Sequence, residues 1–314
     1  MNALAGQVNG VVADDPALFG EVSNLVEAPA AFLGSFAPSH LKLPREVLVS
    51  VMKKHQRYFP LSTRDSDSDL LPYFIAVRNG DDQGRDLVRE GNEHVIRARF
   101  ADADFFVRED LKKSLEAYLP RLGTLIFQTR LGSMLDKVHR IEALVSDLEP
   151  LVGLEPAQMA IARRAAALCK ADLATHMVVE MTALQGNMGC YYALNSGESE
   201  EVAQAVYEHY LPRYTGDALP GSLPGLVVGL ADRLDTLAGL FAAGLAPSGN
   251  KDPFAQRRAA LGLVQNLIGW NLSFDLRFAL QIAASRLPVE STPESQAAVL
   301  DFIIERLRNS LLRN

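Results

Sequence analysis

Cysteine is almost missing from this sequence: Cys169 and Cys190 are the only two in 314 residues. Two thiols cannot staple a chain of this length, so a disulfide scaffold is excluded, and free thiols suit a reducing compartment, which makes the cytoplasm the expected location. Long apolar runs are missing too. No window approaches the roughly 18 consecutive apolar residues of a membrane helix. Met1 to Gly10 has neither the basic start nor the apolar stretch of a signal peptide, and no membrane partner is expected. A surplus of positive charge is also lacking, since 31 Lys and Arg stand against 38 Asp and Glu, for a formal net charge of −7. That balance argues against general attraction to nucleic acid but leaves room for a local basic face on an acidic body. What remains is an ordinary globular composition, 48% hydrophobic and 22% charged, with enough chain for about two domains.

The hydrophobic pattern divides the chain. Before about Gly91 its character is mixed. Ala31 to Phe36 is a short apolar run. Leu43-Pro44-Arg45-Glu46 predicts a helix start with Pro in the first turn, continued by Val47 to Met52. Arg57 to Leu61 and Tyr73 to Val77, rich in aromatic and β-branched residues, predict two strands joined by a Ser- and Asp-rich hairpin loop over Ser62 to Asp69. From Glu93 onward helical spacing takes over, and Leu131, Leu135, Val138, Ile141 and Val145 mark one apolar helix face. Further helices are expected over Glu155 to His176, Ser199 to Tyr210, Leu223 to Ala243, Pro253 to Asn271, Leu276 to Arg286 and Ser295 to Arg313, with breaks at Gly and Pro. The expected fold class is α+β: an N-terminal mixed α/β domain over residues 1–120 and an all-α domain over 121–314.

Familiar catalytic signatures are absent. There is no G-x-S-x-G, no Walker loop, no G-x-G-x-x-G, no C-x-x-C and no H-E-x-x-H. Gly249-Asn250-Lys251 lacks the Gly-Lys-Ser/Thr of a phosphate loop and reads as a connection between helices. The most serious enzyme candidate is an HD-type metal-dependent phosphohydrolase acting on nucleotides or RNA. Its outline is present in His139, the Ala-rich helix ending at Cys169-Lys170, and Asp232, but Cys169 and Lys170 stand where the His-Asp ligand pair belongs. A protonated lysine has no lone pair to give a cation, so the metal site is expected to be degenerate and metal-free. His176, four residues after Asp172, adds at most a second ligand on one helix face. Asp232 and Asp235 could act as an acidic pair, or be neutralised by Arg233 and nearby cations as helix salt bridges.

Two basic constellations remain. Lys251, Arg257 and Arg258 flank the start of a helix opened by Asp252-Pro253, and a helix N-terminus beside cations is a favourable phosphate site. Lys53 and Arg57, interleaved with Tyr58 and Phe59 and joined by Arg97 and Arg99, combine cations with aromatics as an RNA-binding surface does. Solvated surface charge explains either constellation taken alone.

At these residues the sequence resembles the β subunit of the bacterial heterotetrameric glycyl-tRNA synthetase. The similarity runs through Met52-Lys53 with Gln56 and Tyr58-Phe59-Pro60, Gly91-Asn92-Glu93, Arg97 with Arg99, and Ala101-Asp102-Ala103. It continues in Lys170 with Asp172-Leu173, Gln185-Gly186, Ala231-Asp232 with Asp235-Thr236-Leu237, and Lys251 to Ala255 with Arg257 to Gly262. His176 and Met181 depart from the family pattern. The resemblance implies that glycine and ATP, with Mg, react on a separate α subunit, whereas this subunit binds tRNA-Gly, is needed for aminoacylation, and contains an HD-like helical domain. It implies an internal portion of the subunit, without a catalytic residue or a bound cofactor of its own. Lys251, Arg257 and Arg258, then Arg97, Arg99, Lys53 and Arg57, are the expected tRNA contacts. A non-RNA scaffold that only dimerises or holds the α subunit is the remaining class.

Overall fold

In the computed structural model, residues 1–64, 69–81 and 83–312 are described. The chain divides into two compact units, Met1–Lys112 with Glu180–Leu184, and Lys113–Val179 with Gln185–Asn314.

The first unit is α+β. Its elements are α1 (Asn2–Gly6), β1 (Gly10–Val12), α2 (Pro16–Ser23), β2 (Pro29–Ser35), α3 (Arg45–Ser50), β3 (Phe59–Thr63), β4 (Leu70–Asn79) and α4 (Arg85–Asp110). The strands form one antiparallel sheet in the order β1-β3-β4-β2. Two strands are expected, and four are present among the described residues. The apolar run from Ala31 belongs to β2, whose Gly34 pairs with Phe74. A Cβ at Gly34 would stand 2.4 Å from the Phe74 ring, so glycine is what lets that ring lie across the strand and stack on Tyr58, centroids 4.5 Å apart. Of the expected hairpin loop, Ser62 and Thr63 lie in β3, and the Thr63 N–H donates to the Asp69 carbonyl at 2.9 Å. Residues 65–68 of that loop lie outside the described residues.

Helix α4 begins at Arg85, ahead of the expected Glu93. Its buried Ile96, Phe100, Ala103 and Val107 repeat at three and four residues, and Phe100 meets Phe36 edge-on at 4.9 Å. The Ser35 N–H donates to the Glu93 carboxylate at 2.8 Å, tying the end of β2 to the same helix.

The second unit holds β5 (Ile126–Gln128), β6 (Gly132–Ser133), α5 (Met134–Asp147), α6 (Glu149–Val152) and α7 (Pro156–Leu168). It continues with α8 (His176–Glu180), whose last residue falls in the first unit, α9 (Asn187–Asn195) and α10 (Glu200–Glu208). Helices α11 (Leu223–Ala242), α12 (Gln256–Gly269), α13 (Leu276–Ser285) and α14 (Pro293–Leu311) complete it. It is helical but not all-α as expected, because β5 and β6 pair antiparallel at its start. Among the described residues no helix is long and apolar enough to cross a membrane.

Helix α11 is the axis of this unit. Its sequence is apolar nearly all round, so it has no face to offer solvent and packs among α5, α7, α10, α12, α13 and α14. Two expected helices are shorter than their apolar patterns. The Glu155–His176 segment stops at Leu168, because the Thr175 hydroxyl donates to the Asp172 carbonyl at 2.6 Å and residues 171–174 tighten into a 3-10 turn. Asp172 and His176 therefore do not share one helix face. The Pro253–Asn271 segment becomes helical only at Gln256, since Ala255 takes a left-handed conformation, φ 52°.

Candidate functional site

A helix buried on all sides must satisfy its own charges internally, and α11 carries Asp232, Arg233 and Asp235. Asp235, fully buried, accepts from Arg140 Nε at 2.5 Å, Arg140 Nη2 at 3.2 Å and Lys137 Nζ at 2.9 Å. Asp232 accepts from Lys170 Nζ at 2.9 Å on Oδ2, while its Oδ1 lies 2.9 Å from Lys137 Nζ. Lys170 also donates to His209 Nε2 at 2.9 Å and lies 4.1 Å from the centre of the Tyr210 ring. The opposite ring nitrogen of His209, Nδ1, lies 2.6 Å from the Val206 carbonyl. A carbonyl can only accept, so Nδ1 carries the proton and Nε2 offers its lone pair to the ammonium.

The electrostatics follow from burial and pairing. Burial and the Lys170 charge hold the His209 pKa well below the ordinary histidine value, so the ring is neutral. Burial opposes the charge on Asp232, yet Lys137 and Lys170 keep its pKa well below the carboxylate range. Burial likewise opposes the Lys137 ammonium, and Asp232 with Asp235 keep its pKa raised.

This donor set does not fit a divalent cation. Both oxygens of Asp232 face ammonium groups, and Lys170 takes up the one free nitrogen of His209. Among the described residues no group of three His, Cys, Asp or Glu side chains is placed to hold a metal. Of the residues aligned with the HD pattern, the structure brings Lys170 and Asp232 into contact. Cys169 is buried beside them, with burial raising its thiol pKa to about 12. His139 is not in the cluster; it is exposed on α5, whereas its neighbours Lys137 and Arg140 turn inward.

The neutralising cations of the Asp232 and Asp235 pair thus come from α5 and from Lys170, not from Arg233. Arg233 instead donates to a row of backbone carbonyls: Gly229 at 3.0 Å, His209 at 2.9 Å, Tyr210 at 3.0 Å, Leu211 at 2.8 Å and Pro212 at 3.2 Å. The close approach needs glycine on both sides. A Cβ at Gly229 would stand 2.9 Å from the His209 carbonyl oxygen, and one at Gly262 2.9 Å from Arg233 Nε.

The basic run 251–258 reaches the same place. A cleft of about 290 Å³ is lined by His209, Tyr210 and Asp232 on one side and by Phe254 and Arg258 on the other. The expected phosphate site at the helix start is, however, already filled. The Asp252 carboxylate accepts from the Gln256 N–H at 2.8 Å and the Arg257 N–H at 2.9 Å, which are the amides a phosphate would have used. Arg257 Nη2 donates to the Gly249 carbonyl at 2.6 Å. The Lys251 and Arg258 side chains are exposed.

In the first unit, Arg97 and Arg99 are exposed on α4, whereas Lys53 and Arg57 are engaged. Lys53 pairs with Asp15 at 2.8 Å and Arg57 with Glu21 at 2.5 Å, and Arg57 adopts a left-handed backbone, φ 55°. Sequence reasoning missed Lys137, Arg140 and His209. For the first two a signal existed: each falls at a spacing of three or four from apolar positions of the same helix, such as Ile141 and Leu144, and is carried inside with them.

Comparison with known proteins agrees across both units. A family model described as "Glycyl-tRNA synthetase beta subunit" matches residues 1–314. A protein of Syntrophomonas wolfei named glycine–tRNA ligase beta subunit is 45% identical over 316 residues, covering 99% of this chain and 45% of the relative. Proteins of the same name from Desulforudis audaxviator and Clostridioides difficile are 46% and 43% identical, covering 98% of this chain in each case and 45% and 44% of the relatives. The chain thus spans a little under half the length of these curated relatives.

Proposed function

Because the chain belongs to the glycyl-tRNA synthetase beta subunit family, we propose that it is a tRNA-binding, non-catalytic portion of a cytoplasmic glycine–tRNA ligase. It supports the transfer of glycine to tRNA-Gly by an α subunit that uses ATP and Mg. The second unit is on this reading an HD-like helical domain in which the Lys137 and Lys170 ammonium groups stand in for a metal ion, keeping the shape of the domain without its hydrolytic chemistry.

One observation carries the assignment of the RNA contact. The exposed Arg258 side chain lines the cleft with no hydrogen bond or ion pair of its own among the described residues. A cation held at a cleft without a protein partner is what a phosphate requires. Arg97 and Arg99, exposed on α4, form a second contact. Lys53 and Arg57 are committed to Asp15 and Glu21 and contribute less to phosphate binding.

The test is tRNA-Gly binding by the full ligase across a salt series. Arg257→Ala with Arg258→Ala lowers affinity and reduces the slope of log K against log salt by about one per lost contact. Unchanged affinity and slope would remove these arginines from the RNA surface. Retention of α-subunit binding with no tRNA binding by any variant would favour the scaffold class.

A further inference from the structure

The cleft beside Lys170 is not isolated. Across Pro212 and Arg258, which line both, lies a second depression of about 410 Å³, whose other walls include Tyr214, Arg257, Leu261 and Gln265. Each hollow is near or above the roughly 300 Å³ at which small-molecule sites begin. Each also has an aromatic wall, from Phe254 in the first and from Tyr214 in the second, the Tyr210 ring being already occupied by Lys170 at 4.1 Å. Tyr214 is 60% exposed, a large ring left in solvent. Arg213 lies between Tyr207 and Tyr214, 5.8 and 5.9 Å from the two ring centres, and is anchored by Asp217 at 2.8 Å.

The sequence of chemistry along this surface is ring, arginine, ring. Aromatic faces alternating with cations suit unpaired bases joined by phosphates, because a base in a duplex is already stacked and offers no free face. We propose that the two hollows take consecutive unpaired nucleotides of an RNA single strand, with Arg258 on the phosphate between them, Tyr214 stacking on one base and the Phe254 side of the first cleft receiving the other. The inference rests on the RNA-binding reading given above and specifies the part of the RNA that is bound here: a single-stranded segment, held by stacking as much as by charge.

Stacking and charge separate experimentally. In the full ligase, Tyr214→Ala weakens binding of tRNA-Gly by roughly 5- to 150-fold, the range for losing one base–aromatic stack, with the salt slope unchanged. Tyr214→Phe, which keeps the ring, restores binding. Arg258→Ala reduces the slope by about one. A short unpaired oligonucleotide competes for the wild-type site and loses that ability against Tyr214→Ala, while a blunt RNA duplex of the same length competes equally with both. If Tyr214→Ala leaves binding unchanged while Arg258→Ala reduces the slope, the surface binds RNA but not an unpaired strand, and the present inference falls alone. If Tyr214→Ala weakens duplex competition as much as oligonucleotide competition, the ring is not stacking on a free base. If neither variant changes affinity or slope, the RNA-binding assignment of this surface falls as well. Because Tyr214 is exposed, its removal leaves the core untouched, and the unfolding curve of the variant superimposes on that of the parent.

Discussion

Lys170→Met tests whether the buried ammonium organises the second unit. The substitution keeps an unbranched apolar side chain one atom shorter and removes the charge and its donors. Asp232 then loses one of two cations, keeping Lys137 at 2.9 Å on its other oxygen. Breaking a buried pair outright costs about 3–5 kcal/mol, and the surviving Lys137 places this case at the low end. His209 Nε2 loses its donor, which adds about 1–3 kcal/mol if nothing replaces it. Against both stands the buried charge balance: Lys137, Arg140 and Lys170 face Asp232 and Asp235, and removing one cation makes the numbers equal. A net loss of about 3 kcal/mol is expected. Trp270, the sole tryptophan, reports on this unit, because its indole N–H donates to the Pro220 carbonyl at 3.0 Å. Urea unfolding followed by its fluorescence should show the midpoint falling by more than about 1 M for a slope of about 2 kcal/mol per M. Combined with Asp232→Asn, the loss should be smaller than the sum of the single losses by at least about 1 kcal/mol. A Lys170→Met protein within about 0.5 kcal/mol of the parent, or strictly additive variants, would refute the pairing.

Two further outcomes are expected. Asp172 is fully buried, and burial raises its carboxyl pKa from the ordinary 3.8 to about 6, although the Gly186 N–H donates to it at 2.6 Å. A carboxyl raised on folding favours the native state at low pH, and that contribution fades as pH rises through about 4 to 6; the gap is worth about 3 kcal/mol. Asp172→Asn should therefore gain about that much on the parent between pH 4 and pH 7 in denaturation curves, and an equal offset at both pH values would contradict the burial argument. Asp252→Ala uncovers the first amides of α12 and should cost about 1 kcal/mol in thermal unfolding, with Asp252→Asn recovering most of it; identical melting of all three proteins would show that the cap contributes nothing.

How much of this was legible beforehand depends on the range of the forces involved. The apolar stripe from Leu131 to Val145 and the all-round apolar run of α11 gave their helices directly, since burial acts on spacing alone. Strands β1 and β2 were not visible as strands, because their short, weakly alternating sequences are fixed by pairing with β3 and β4 rather than by local preference. The early stop of α7 and the late start of α12 depend on Thr175 bonding back to Asp172 and on Asp252 reaching forward over a left-handed Ala255. Spacing arguments do not see such side-chain bonds. Lys170 and Asp232 were both singled out, yet they stand 62 positions apart and only the fold shows that they are partners. His209, which completes the cluster, carried no pattern at all. The basic run 251–258 is visible in the sequence, and so is Asp252 at the helix start; that its carboxylate occupies the first two amides, leaving none for a phosphate, shows only in the structure.

The row of carbonyls gathered by Arg233 bears on how a partner would be met. A turn that bends freely must be ordered when something binds to it, and each ordered residue subtracts from affinity. Here the 209–212 turn, which presents Tyr210 and Pro212 and leads into Arg213 and Tyr214, is fastened by one guanidinium to the most deeply buried helix of the unit. Burial lowers the Arg233 pKa only to about 10, so at neutral pH the guanidinium stays charged. The entropy of that surface was therefore spent during folding, and a ligand arriving there finds its contacts already in position.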